Sequence, residues 1–284
     1  MNIQWFPGHM LETKNQLKNS IARVDALLEV VDARLPLSSS NPFVDRIATG
    51  KNRMKVLNKA DIADPEATQA WLDYFNRDLR LPAAAICGTS LQDASQALET
   101  LVSQVDRNQA RKAKVMVVGI PNTGKSTILN TLAGRKVAKT GNVPAITRHQ
   151  QRTSLKGNID IYDTPGILWP VIEPLQRALA LAVSGAISDT AIDYHEIAHF
   201  AAQLLLERYP ACLAERYPFL DPLPKNPQAL IETVGKARGC LKKGGYVDSQ
   251  KASQLIIRDL RSGRLGRVSF ETPKDINVNH DTDQ

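Results

Sequence analysis

The chain has 284 residues, of which 43% are hydrophobic, 23% charged and 5% aromatic, with a net charge of +7. That length suits one large domain or two smaller ones, with a core resting on aliphatic side chains. No apolar run approaches the ~20 residues of a membrane span, no basic and apolar leader opens the chain, and Cys87, Cys212 and Cys240 form no CxxC pair; a disulfide framework and a structural zinc knuckle are therefore not expected, and a reducing cytoplasm is.

The elements read as follows in chain order. Pro7 to Val24 is a mostly polar helix. Ala26 to Val31 is a continuous apolar run, the pattern of a buried strand, and Met54 to Leu57 repeats it. A helix runs from Pro65, suited to a first turn, to Asp78. Ala83 to Ile86 is a short strand, Gln92 to Val105 a helix, and Asp106 to Lys114 an exposed basic linker. Val115 to Val118 is a strand, Lys125 to about Gly134 a helix, and Ile159 to Tyr162 a strand. Strands alternating with helices, with polar motifs at strand ends, specify an α/β sheet carrying its ligand at that edge. Beyond about Glu173 only helical periodicity remains, around 176–184, 195–207, 228–238 and 249–260. Glu271 to Gln284 reads as a disordered polar tail.

The charge is uneven along this order. Between Lys225 and Arg267 ten Lys and Arg stand against Glu232, Asp248 and Asp259, a net +7 that equals the excess of the whole chain. A solvated helical surface also carries such charge. Confined to one module, however, it points to a polyanion, and with no membrane signal nucleic acid is the expected partner. Lys236, Arg238, Lys242, Lys243, Arg258 and Arg261 are the expected phosphate contacts.

Gly119 to Ser126 reads GIPNTGKS and matches GxxxxGK[ST] between a strand and a helix. Glycines there let successive N–H groups face phosphate oxygens, so Asn122, Thr123, Gly124, Lys125, Ser126 and Thr127 are expected at a nucleotide, with Lys125 at the β/γ-phosphates and the Ser126 hydroxyl on Mg²⁺. Asn58-Lys59-Ala60-Asp61 has the NKxD form at another strand end. A carboxylate at Asp61 can accept paired hydrogen bonds from the ring N–H and exocyclic amine of guanine, an edge where adenine offers the wrong donors, so the expected ligand is GTP or GDP. Asp163-Thr164-Pro165-Gly166 supplies an aspartate for the magnesium shell and a glycine N–H for the γ-phosphate. Thr147, in the intervening loop, is the natural switch threonine for the metal, although Ala145 stands where such loops usually carry glycine.

The order NKxD, phosphate loop, switch threonine, DTPG is a circular permutation of the usual GTPase order. With the opening WFPGHM, the VDAR after the first strand and the DTPGILWP stretch, the chain resembles the ribosome biogenesis GTPase A family over about residues 1–272. The resemblance implies an α/β P-loop GTPase sheet in permuted order with a C-terminal all-helical domain: residues 1–172 the permuted G domain with its N-terminal helical segment, 173–270 the basic RNA-binding domain, and 271–284 the tail. It also implies a GTP-hydrolysing factor for late maturation of the large ribosomal subunit, binding that subunit and its rRNA as a cytoplasmic monomer. Ile167 stands where Ras-like enzymes place the glutamine that orients water, and an isoleucine cannot do so. The resemblance assigns that role to His9, beside Lys125, and to Asn122 a K⁺ ion near the phosphates. The base-contacting loop, where the family carries a serine-like element, reads Cys87-Gly88-Thr89, which leaves backbone N–H groups for the guanine oxygen.

Two other readings compete. One is a nucleotide-gated RNA-binding factor in which hydrolysis is incidental. The other is a zinc hydrolase, from His195-Glu196-Ile197-Ala198-His199, a literal HExxH on an expected helix. It lacks the HxxGxxH extension, and Glu215 as third ligand has no supporting context, so two histidines on an accessory helix fit better.

Overall fold

The computed structural model describes residues 18–106, 111–138, 151–164, 166 and 172–279. The expectations placed on His9, Thr147 and Ile167 lie outside them.

Strands β1 (Ala26–Asp32), β2 (Asn52–Asn58), β3 (Ala83–Ile86), β4 (Ala113–Val118), β5 (Gln151–Leu155) and β6 (Ile159–Asp163) form one six-stranded sheet in the order β3-β2-β1-β4-β6-β5. Every neighbouring pair is parallel except β5 with β6. The four motif loops therefore leave β2, β3, β4 and β6 at one edge of the sheet. β1 (ALLEVVD) is buried along its whole length, which is why it reads as a mostly apolar run rather than as an alternation. Its one interruption, Glu29, is register-paired with Lys55 on β2, and the two side chains form a buried ion pair at 2.8 Å. The antiparallel edge strand β5 (QRTSL) was not foreseen, because a polar edge strand lacks the apolar run that marks the central ones.

Helices lying wholly within the described residues are α1 (Pro36–Ser39), α2 (Pro42–Ile47), α3 (Pro65–Asp73), α4 (Leu91–Ser103), α5 (Lys125–Ala133), α6 (Leu175–Ser184), α7 (Tyr194–Arg208), α8 (Pro210–Arg216), α9 (Pro227–Ala237) and α10 (Ser249–Arg261). Local chemistry sets their starts: Asp64 caps α3 by accepting from Glu66 and Ala67 N–H groups, with Pro65 in the first turn, and Ser90 caps α4 by accepting from Asp93. The helix expected through Asp78 ends as such at Asp73 and continues to Asp78 as a π-helical turn.

The helical part packs directly on the sheet's motif edge. Its core, built on Leu181, Ala198, Leu205, Ile231 and Ile256, also contains Leu35 from the loop after β1 and Ile120 from the phosphate loop. The tail expectation is corrected at its start. Glu271 is buried, and Pro273–Asn279 is a 3-10 helix whose Ile276 packs with Trp71 and Phe75. A polar composition suggested disorder, but Glu271 finds polar partners in the loop after β1: Leu37 N–H, Ser38 N–H at 2.9 Å and the Ser38 hydroxyl.

Candidate nucleotide site

The phosphate loop turns at Gly119 (φ +149), Asn122 (φ +61) and Gly124 (φ +93) before α5 begins at Lys125. Gly124 has no room for a side chain: a Cβ would lie 2.1 Å from Asn58 Nδ2. Asn58 is the reason. From the end of β2 its Nδ2 donates to the Thr123 carbonyl at 2.7 Å, so the first residue of NKxD holds the phosphate loop. Gly88, from the loop after β3, lies against the same amide, where a Cβ would come within 2.7 Å of Asn58 Oδ1. One buried side chain thus joins the loops after β2, β3 and β4.

Lys125 is buried, and its Nζ donates to the Ile120 carbonyl at 2.7 Å. Burial lowers its pKa to about 8. Asp163 ends β6 with both carboxylate oxygens buried and without a hydrogen-bond partner among the described residues. Burial pushes its carboxyl up to about 6 against the attraction of Lys125. Two orphaned carboxylate oxygens, together with the Ser126 hydroxyl in the first turn of α5, are the kind of hard oxygen donors that Mg²⁺ takes. Thr164 is fixed by donating its hydroxyl to the Val117 carbonyl at 2.8 Å. Gly166 lies on the phosphate loop so closely that a Cβ would sit 2.7 Å from Pro121 N.

On the base side, Lys59 takes a left-handed backbone (φ +66) and opens a 3-10 turn, Ala60–Ile62, that leaves Asp61 exposed. The Asp61 carboxylate makes no hydrogen bond or ion pair to another described residue. Lys59 Nζ reaches back to Asp32 at 2.7 Å. Asp32 also grips Arg34 through two oxygens, at 2.9 and 2.8 Å. Burial works to raise the Asp32 carboxyl, but Arg34 and Lys59 hold it well below the usual carboxylate range. In the loop after β3 the Cys87 N–H donates to Asp93 at 3.1 Å.

Several residues that sequence reading gave other roles, or none, join this site to the helical part. Asn122 Nδ2 donates to the Gly185 carbonyl at the end of α6, 2.6 Å away. Arg34 stacks over Phe270 and donates to the Leu260 carbonyl at 3.5 Å. Arg261, expected at an RNA phosphate, is turned inward: it caps α6 through the Val183 and Ala182 carbonyls at 2.9 and 2.8 Å and pairs with Asp189. Helix ends leave carbonyls that need donors, and a partly buried guanidinium supplies them. Lys236, Arg238, Lys242, Lys243 and Arg258 are exposed. His195 and His199 are exposed on α7, Glu215 is exposed on α8, and no group of three or more potential metal ligands forms among the described residues. No helix of the described residues is long and apolar enough to cross a membrane.

A family model described as 50S ribosome-binding GTPase matches residues 114–206. The matched segment opens on β4 and leaves Asn58 to Asp61 outside, as a rearranged motif order requires. The chain is 41% identical to ribosome biogenesis GTPase A of Bacillus cereus over 97% of this chain and 95% of that one. It is 32% identical to the Thermotoga maritima protein of the same name, over 96% of each. A solved GDP-bound structure of T. maritima YlqF superposes with a TM-score of 0.68 at 30% identity, covering 92% of this chain and all of that one. The same protein bound to GNP gives the same score and covers 93% of this chain.

Proposed function

The chain belongs to the ribosome biogenesis GTPase A family and is a GTPase, and from that premise we propose that it hydrolyses GTP while docked on a late precursor of the large ribosomal subunit. The observation that carries the reading is Asn58, whose side chain locks the phosphate loop to the guanine-selecting loop. Phosphate and base recognition are then one rigid unit at the sheet edge.

In that reading, the N–H groups of Thr123 to Thr127 cradle the phosphates and Lys125 leaves the Ile120 carbonyl for the β/γ-phosphates, where it stabilises charge in the transition state. Asp61 selects guanine, with Asn58, Lys59 and Ala60 shaping its loop and Gly88 closing the base side. Ser126, Asp163 and Thr147 are the residues that would hold Mg²⁺, which when bound neutralises charge on the β- and γ-phosphates. A K⁺ ion would add positive charge beside Asn122. His9 orients the attacking water that Ile167 cannot, and Gly166 reads the γ-phosphate.

Nucleotide state has a short path to the helical part, because Gly166 rests on Pro121 and Asn122 bonds to Gly185. A shift of the phosphate loop on γ-phosphate binding would therefore move α6 and reset the basic surface of α9 and α10 against rRNA. Lys236, Lys242, Lys243 and Arg258 are exposed there and available to phosphates. We place this activity in the cytoplasm, in a monomer.

The test is GTP turnover by the full chain with and without purified large-subunit precursor particles. Stimulation by the particles, with binding that weakens steeply as salt rises, is the expected result. Turnover indifferent to particles would leave a nucleotide-gated binding factor with incidental hydrolysis.

A further inference from the structure

We propose that Arg267, in the segment after α10, is a positioning residue for guanine recognition: it holds the turn that carries Asp61 and so sets how tightly and selectively guanine is bound. The proposal rests on the reading of Asp61 as the partner of guanine.

The turn Ala60–Ile62 is a single turn of 3-10 helix, too short to hold itself in place through its own hydrogen bonds. Its external bonds come from 200 residues away. Arg267 Nη2 donates to the Ala60 carbonyl at 3.1 Å and Nε donates to the Ala63 carbonyl at 3.0 Å, so one planar guanidinium spans both ends of the turn. The Val268 N–H donates to the Ile62 carbonyl at 3.1 Å. Asp61 lies inside this bracket, and its own carboxylate is left exposed.

The segment reaches the turn because it bends at Gly263 (φ +73). A Cβ there would come within 2.4 Å of Ile62 Cγ2, so the glycine allows both the backbone conformation and the close approach. Beyond the turn, Ser269 Oγ accepts from the Asp64 N–H at 3.2 Å, and the Tyr209 hydroxyl donates to Asp64 Oδ2 at 2.9 Å. The base-selecting turn is thus moulded by the C-terminal segment as much as by β2. A side chain that recognises a ligand loses affinity steeply when its support lets it shift by an ångström.

Comparing GDP with inosine diphosphate separates positioning from general support. Hypoxanthine lacks the exocyclic amine, so it keeps one of the two hydrogen bonds to Asp61, and the affinity ratio of the two nucleotides reads the second. Titration calorimetry on the full chain should show Arg267→Ala losing about tenfold in GDP affinity and much less for inosine diphosphate, so that the ratio narrows. Arg267→Lys, which can reach one carbonyl, should recover part of the ratio. Arg267→Met keeps the aliphatic stem and serves if the alanine chain does not fold. An unchanged ratio, even with both affinities lowered, would overturn the proposal and leave Arg267 a structural residue. Asp61→Asn, tested for a gain of xanthosine diphosphate binding, checks the underlying reading separately. If that gain is missing, the Asp61 assignment fails whatever Arg267 does.

Discussion

The side-chain amide of Asn58 donates to the Thr123 carbonyl at 2.7 Å, joining the base-side loop to the phosphate loop through a buried group. Nucleotide affinity should therefore depend on Asn58 for both GTP and GDP, because the bond shapes the loop around phosphates common to the two. Asn58→Ala strands a buried carbonyl and should cost on the order of 1–3 kcal/mol of binding, roughly 5- to 150-fold. Gly124→Ala should be worse, since its backbone is left-handed and the new methyl meets the Asn58 amide. Fluorescent-nucleotide titration checks both; equal affinities for wild type and Asn58→Ala would remove the clamp.

Glu29 and Lys55 form the buried ion pair between β1 and β2, and Lys55 Nζ also donates to Ser40 Oγ at 2.8 Å. Removing one partner leaves a charge without compensation in the sheet interior. Lys55→Met alone should destabilise the fold by roughly 3–5 kcal/mol, and the double replacement Glu29→Leu with Lys55→Met should restore most of it. Urea denaturation of the three chains tests this.

Glu271 gives a pH dependence with a definite sign. Burial, opposed by donors from Ser38 and Leu37, pushes its carboxyl from an ordinary value of 4.5 up to about 7. The folded state thus holds a proton that the unfolded state releases. The resulting stabilisation is complete below pH 4.5 and is lost as pH rises through about 7, a change on the order of 3 kcal/mol. Glu271→Gln keeps an acceptor without the titration, so its stability should lack this component between pH 5 and 8. Parallel stability–pH profiles for the two chains would refute the assignment.

His9 is the candidate for orienting water. His9→Ala should cut particle-stimulated single-turnover hydrolysis by about 10²- to 10⁴-fold while leaving GTP affinity and particle binding nearly unchanged, because the imidazole would act only in the transition state. A rate within about twofold of wild type, far short of that loss, would assign the role to another group.

The phosphate loop, NKxD and DTPG could be read directly because each is a contiguous run whose chemistry depends on residue type and on a strand just before it. The buried strands could be read for the same reason: a strand covered on both faces leaves a mostly apolar run, as in β1 and in residues 115–118 of β4. Their arrangement at one sheet edge followed from motif order and the parallel α/β pattern. The donors that satisfy buried groups far along the chain could not be read this way. Arg261 and Arg267 look like their neighbours Arg258 and Arg264 in sequence, yet the first caps α6 and the second brackets the Asp61 turn. Glu271 sits in a polar segment that composition assigns to solvent, but two backbone N–H groups and a hydroxyl draw it inside. Packing brings orphaned carbonyls and N–H groups within reach of particular side chains, and the cost of leaving those groups unpaired then selects the partner. That selection acts between residues more than two hundred positions apart, where no local pattern records it, and it is how the C-terminal segment comes to hold the Asp61 turn and the loop after β1.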